Sequence, residues 1–277
     1  FKLEHETGRE DPKLFNPPSG RIDVESWAQL AHESGMRYAI LTVKHHGGFC
    51  LWDSKHTTHD IASSPYAKDV VRQFVDAFRA KGLRVGLYYS PQDKNRPSDL
   101  EYTKAQIEEL LTRYGPIDAL WLDQYGWPKN IQRSDLRDHI RKLQPLCLFD
   151  SNGGADPKLG DVVNIERVGR QKPPTEPFDI AKDHFPRDRG RPRPLPNHDN
   201  EICETLRGDG GWFYHTHGND DLKSDDHILI TLQKQLQGGG NFLVDVTPDP
   251  DGRIPRPQVE LLRRIAEQYP MTKGIVL

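Results

Sequence analysis

Two neighbouring imidazoles, His45 and His46, stand where the apolar run of RYAILTVKHHGGFCLW (Arg37 to Trp52) breaks into a pair of glycines and an aromatic. Similar runs end on reactive groups three more times. LRVGLYYS closes on Tyr88, Tyr89 and Ser90, IDALWLDQYGW on Trp121 and Asp123, and DVVNIER on Glu166. In parallel α/β folds the C-terminal ends of strands open to solvent and carry the chemistry, while the apolar runs behind them only pack. His45 and His46 are therefore expected where a substrate would sit, with carboxylates at neighbouring strand ends to serve acid–base or nucleophilic chemistry. A metal cluster is the competing chemistry, drawn from His45, His46, His56, His59 and nearby aspartates. Against it, adjacent side chains point to opposite sides of a strand, so His45 and His46 can share one ion only if the strand breaks there. The threonines between His56 and His59 also disfavour the helix that their spacing would need.

Positioning these groups requires strands at about 37–46, 83–90, 117–123, 147–152, 161–166, 200–206 and 241–247, and amphipathic segments alternate with them. DVESWAQLAHES reads as a helix with Asp23 as N-cap, and SPYAKDVVRQFVDAFRAKG puts Val70, Val71, Phe74, Val75 and Phe78 on one face before Gly82 stops it. Near-continuous apolar strands separated by such helices predict a parallel sheet in an α/β protein. The class expected is a (β/α)8-type, TIM-like barrel that lacks its first strand within this chain, because such a barrel wants eight strands and seven are counted. Nothing in Phe1 to Pro12 reads as the missing one, so it is expected outside these 277 residues, or replaced by another chain or an unusual closure. One domain over 1–277 is expected, with a long irregular loop at about 168–197 that carries Arg187, Arg189, Arg191 and Arg193.

Bulk composition excludes more than it identifies. A formal net charge of -3 gives no field to recruit nucleic acid, and no apolar run approaches the roughly 20 residues of a membrane helix. Cys50, Cys147 and Cys203 lie far apart without CxxC spacing, which argues for buried thiols rather than a disulfide framework or structural zinc. The chain opens on Phe1 without a signal-peptide pattern, so any such peptide is expected to be absent or already removed, and the compartment is left open.

KHHGGFCLW, GLYYSP, LLTRYGPIDALWLD and GGGNFLVDVTPDPDG, in that order and approximate spacing, resemble glycoside hydrolase family 29, the α-L-fucosidases, from about Phe15 to Gly252. The resemblance implies a retaining exo-α-L-fucosidase acting on a fucosylated oligosaccharide or glycoconjugate, with no cofactor, no nucleic acid and no membrane partner, and with assembly into oligomers left open. Retaining hydrolysis uses two carboxyl groups about 5–5.5 Å apart. By resemblance Asp123, in the W-x-D motif, is the nucleophile. The acid/base is Glu166 or Glu201: Glu166 ends its strand, whereas Glu201, which is similar to the glutamate of the family's W-E-x-C pattern, begins one and would face the stability side of a barrel. Glu166 is favoured, and it is expected to be partly buried so that it stays protonated. His45 and His46 resemble the family's fucose-binding pair. The adjacent Trp52 and Trp121 offer apolar faces for the sugar, Tyr89 and Glu4 resemble further sugar-contacting positions, Trp212 resembles part of an aromatic segment near the sugar methyl group, and Gly47 stands where the family usually has an aspartate. Two rivals remain, a barrel that binds fucose without turnover and a metal-dependent hydrolase. Fold does not separate them, because barrels host many functions.

Overall fold

The computed structural model describes residues 7–123, 127–152, 160–167, 173, 199–218 and 220–269. Glu4 and, apart from Pro173, the arginine-bearing loop expected at 168–197 lie outside the described residues. Seven strands appear among those described: β1 Tyr38–Lys44, β2 Arg84–Tyr89, β3 Ala119–Leu122, β4 Leu148–Asn152, β5 Val162–Arg167, β6 Asp199–Thr205 and β7 Asn241–Asp245. Six α-helices accompany them: α1 Val24–Glu33, α2 Val70–Ala80, α3 Leu100–Arg113, α4 Arg133–Leu143, α5 Asp225–Gln237 and α6 Arg256–Gln268. The strand order is sequential from β1 to β7, and β1/β2, β2/β3, β5/β6 and β6/β7 pair in parallel. Parallel neighbours need crossovers, which α2, α3 and α5 supply. Order and connectivity are those of a (β/α)8-type barrel represented by seven strands, the α/β class read from the alternation of apolar runs and amphipathic helices.

The chain divides into two compact units. One takes its described residues from Phe1–His32, Arg37–Asp150 and Pro250–Arg253. Within it, β2 buries Val85, Leu87 and Tyr89 completely, the period-2 set of a strand, while Tyr88 stays half-buried on the other face. Gly86 lets β1 approach closely, since a Cβ there would meet Ile40 Cγ1 at 2.9 Å. Helix α2 buries Val70, Val71, Phe74, Val75 and Phe78. Asp69 starts it by accepting from the Arg72 N–H at 2.8 Å, and Gly82, at φ 73°, follows its end. Asp99 caps α3 in the same way, accepting from the Tyr102 N–H at 2.8 Å.

The second unit takes its described residues from Glu33–Met36, Ser151–Asp249 and Ile254–Leu277. Its strands β5, β6 and β7 run in register, with Glu166 opposite Cys203 and Glu204 opposite Val244. Ser224 caps α5 by accepting from the His227 N–H. The Glu204 carboxylate is fully buried and accepts from Lys223 Nζ at 2.9 Å, with His227 Nε2 at 2.6 Å, so this interior charge is paired as burial demands. Cys50, Cys147 and Cys203 are free and buried, as their spacing predicts. No helix among the described residues is long and apolar enough to cross a membrane.

Candidate active site

Strand β1 stops at Lys44, with an irregular register between Thr42 and Lys44, and the chain then turns: the Gly48 N–H donates to the His45 carbonyl at 3.0 Å. Gly48 sits at φ 85°, and a Cβ there would run into the Asp93 carboxylate, so only glycine fits. Because the strand has ended, the rule that sends neighbouring side chains to opposite faces no longer applies. The His45 and His46 rings lie 4.1 Å apart, and one donor atom from each, with one from Asp123, falls within a 4.8 Å cluster. The break after Lys44 is the condition under which the two imidazoles are expected to converge. His56 and His59 take no part in that cluster.

Aromatic rings build one wall. The His45 ring stacks on Tyr88 at 5.7 Å, and Tyr88 stacks on Trp121 at 4.8 Å, as their register across β2 and β3 requires. Asp123, one residue past β3, is 4 % exposed, and its Oδ2 accepts a short hydrogen bond from the Tyr88 hydroxyl. His46 Nε2 lies 3.4 Å from the same oxygen, while its Nδ1 meets Ser90 Oγ at 2.7 Å. A carboxylate aimed by a phenol, beside two imidazoles and next to flat aromatic faces, suits nucleophilic attack on a substrate that offers hydroxyls and C–H surface.

Beneath this layer is a buried cation that the sequence reading did not single out. Lys44 is 1 % exposed; its Nζ lies 3.4 Å from Asp93 Oδ2 and donates to the Ser90 carbonyl at 3.0 Å and to the Tyr89 hydroxyl at 3.3 Å. Burial lowers the Lys44 pKa, and the Asp93 charge opposes that shift. The Asp93 carboxylate also accepts from the Tyr102 hydroxyl and from the N–H groups of Asn95 and Arg96, and the Lys94 N–H donates to the His46 carbonyl. The loop after β2 is thus tied to the histidine turn. The available signal was a lysine inside an apolar strand, which burial obliges to find a counter-charge.

Two expected sugar contacts are placed elsewhere. Tyr89 is fully buried, its hydroxyl donating to Gln106 Oε1 at 2.8 Å, so it packs under the site, and Tyr88 is the tyrosine presented to Asp123. Trp52 is also fully buried, with its indole N–H donating to Glu109 Oε2 at 2.9 Å; its face is core, not a sugar platform. The sequence marks Tyr88 only as part of a strand end, because alternation alone does not say which of two adjacent tyrosines turns toward the chemistry.

In the second unit, Glu166 is the fifth residue of β5 and is exposed, not partly buried as expected, and Asn152 Nδ2 donates to its Oε1 at 2.8 Å. Glu201 lies in the interior of β6, 2 % exposed, with Asn164 Nδ2 donating to its Oε1 at 2.5 Å. Asp245, at the end of β7, has its carboxyl pKa pushed well above the ordinary range by burial, with the Glu166 charge adding and Arg207 opposing. Trp212 is half-buried and follows a turn in which Arg207 pairs with Asp209 and the Gly211 N–H donates to Asp209 Oδ1.

A family model described as Alpha-L-fucosidase matches residues 10–270. The chain is 30 % identical to Alpha-L-fucosidase 1 of Arabidopsis thaliana over 94 % of its own length and 54 % of that protein. Among solved structures, alpha-L-fucosidase isoenzyme 1 from Paenibacillus thiaminolyticus superposes with a TM-score of 0.75 at 32 % identity, covering 92 % of this chain and 64 % of that one. A glycoside hydrolase 29 family member from an unknown rumen bacterium gives a TM-score of 0.75 at 29 % identity, covering 95 % of this chain and 51 % of that one. The chain spans about half the length of the curated relatives that it matches over most of its own length.

Proposed function

The chain belongs to the α-L-fucosidase family, glycoside hydrolase family 29, and on that footing we propose that it is an exo-acting α-L-fucosidase that removes terminal α-L-fucosyl groups with retention. The observation that supports this most is the setting of Asp123, a nearly buried carboxylate oriented by Tyr88 and flanked by His45, His46 and Trp121. Asp123 attacks the anomeric carbon as Glu166 gives its proton to the departing oxygen, leaving a covalent glycosyl-enzyme. Glu166, now a carboxylate, takes a proton from water, and the water oxygen attacks the same carbon and frees Asp123. His45 and His46 hydrogen-bond the sugar hydroxyls, while Tyr88, Trp121 and Trp212 cover its apolar surface. The substrate is a fucosylated oligosaccharide or glycoconjugate, and the reaction needs no cofactor.

Glu166 is preferred to Glu201 because a proton donor must reach solvent-borne substrate. Glu166 is exposed at a strand end, whereas Glu201 is buried against Asn164. Release of 4-nitrophenol from 4-nitrophenyl α-L-fucoside tests the assignment. The parent chain is expected to turn over, Asp123→Asn to lose about 10³-fold or more, and Glu166→Gln to lose about 10²–10⁴-fold on a substrate with a poor leaving group. Glu201→Gln activity close to the parent's completes the expected pattern. NMR of the first-formed fucose should show the α-anomer. Full activity in Asp123→Asn, or the β-anomer first, would overturn the proposal.

A further inference from the structure

We propose that His45, His46 and Asp123 form an inhibitory site for a borderline divalent cation, Zn(II) or Cu(II), which occupies the nucleophile and shuts substrate out. The inference that a cation binds stands on its own, and the inference that it inhibits rests on the fucosidase reading.

The argument begins with the 3.4 Å between His46 Nε2 and Asp123 Oδ2. That is longer than a well-formed charged hydrogen bond, about 2.7–2.9 Å. It equals the edge of a tetrahedron around Zn(II), which bonds of about 2.0–2.1 Å to nitrogen and 2.0–2.2 Å to oxygen make roughly 3.3–3.5 Å long. The outer atoms favour the same reading. Ser90 Oγ donates to the Gln92 carbonyl at 3.2 Å and is left to accept from His46 Nδ1 at 2.7 Å. That contact orients the imidazole with Nε2 toward Asp123, as an outer-shell partner orients a metal-ligating histidine. Tyr88 fixes the carboxylate, completing an outer shell of the kind that orients metal ligands. All three donor atoms lie within 4.8 Å of one another and two of the three residues are buried, so side-chain adjustment within the cluster brings the three onto one ion.

Ligand chemistry selects the ion. Two imidazoles and one carboxylate match Zn(II) or Cu(II) and leave a fourth position for water, whereas Mg(II) and Ca(II) require mostly oxygen donors. A bound ion draws on the carboxylate lone pair that would attack the anomeric carbon, so metal and sugar exclude each other.

Calorimetric titration of zinc chloride into the chelator-treated 277-residue chain at pH 7.5 is expected to show one saturable site per chain. His46→Gln and Asp123→Asn should each weaken it by more than tenfold and Ser90→Ala by about 10–100-fold, while the double variant His215→Gln/His217→Gln binds like the parent. In case a substitution disturbs folding, Co(II) added to the parent chain provides an independent readout, with intense visible bands of four-coordinate geometry expected. If the chain turns over the aryl fucoside, zinc should raise KM with kcat unchanged, and EDTA should reverse the effect. Absence of saturable binding, equal affinity in His46→Gln and Asp123→Asn, weak six-coordinate Co(II) bands, or inhibition that lowers kcat alone would each overturn the site. Binding without hydrolysis would leave the site standing and remove the fucosidase reading, whereas hydrolysis without binding would do the reverse.

Discussion

A carboxylate that attacks an anomeric carbon needs its lone pair aimed and its charge available, and if Asp123 has the proposed role, the Tyr88 hydroxyl that donates to it acts on both. A hydrogen bond to a charged acceptor contributes about 1.5–3 kcal/mol. On the proposed mechanism, Tyr88→Phe should therefore lower kcat about 10–100-fold with little change in KM or stability. Tyr89→Phe should do the opposite. It removes a buried donor to Gln106 and a neighbour of Lys44, costing about 1–3 kcal/mol of stability with turnover near that of the parent. Steady-state kinetics and urea midpoints on the two variants read the contrast directly, and a Tyr89→Phe chain that keeps its stability but loses kcat would reverse the assignment. The pair also marks how far the site was legible in the sequence. Asp123 and the histidines stand out in the sequence because motif and strand end coincide. Tyr88 was passed over for Tyr89 because the two are chemically identical, and only the pleat distinguishes them. Trp52 misled for a related reason, since a tryptophan beside the histidine turn looks like a sugar platform until Glu109 is seen to hold its N–H.

At the scale of elements, the seven strands among the described residues fall within a few residues of their expected spans because each is an apolar run, and α1 and α2 lie inside the segments that read as amphipathic helices. What the pattern does not encode is how a strand ends. The break after Lys44 brings His45 and His46 together, and its support, Lys44 with Asp93, joins β1 to the loop after β2 across a distance in sequence that no local pattern reports. Removing one member of such a pair strands the other charge in the interior, so Lys44→Met should destabilise the chain by about 3–5 kcal/mol, and adding Asp93→Asn should recover much of that loss. Urea unfolding of the two single variants and the double variant measures the coupling, and strict additivity would mean that the pair does not act as one. The pH dependence has a defined sign. Burial holds the Lys44 pKa below its ordinary 10.5, so between the lowered value and 10.5 the unfolded chain binds more protons than the folded one. The contribution of this group to stability therefore rises with pH across that window, and Lys44→Met should flatten the rise in melting temperature below pH 10.

At the scale of the whole molecule, composition and a formal charge of -3 set limits without identifying a function, and the chain spans only about half of its matched curated relatives. The candidate residues belong to two compact units, His45, His46, Tyr88, Trp121 and Asp123 to one and Glu166, Glu201 and Trp212 to the other. Whether each unit keeps its packing in solution is a question that the cysteines answer, because they are distributed between the units. Cys50 and Cys147 belong to the first and Cys203 to the second, at 0 %, 1 % and 7 % exposure. A thiol attacks a disulfide reagent as the thiolate. Burial removes access at all three positions and, at Cys50, also drives the pKa upward, so reaction requires opening. At pH 8 an aromatic disulfide reagent should label the native chain about 10³-fold or more slowly than the denatured chain, and denaturant should release three thiols per chain. Chains that retain a single cysteine, with alanine at the other two positions, separate the units: Cys50 and Cys147 report opening of the first, and Cys203 that of the second. Slow labelling at all three positions is the expected result. A burst of reaction at Cys203 with Cys50 protected would place the packing of β6, and with it the setting of Glu201, at fault while leaving Asp123 and its partners intact.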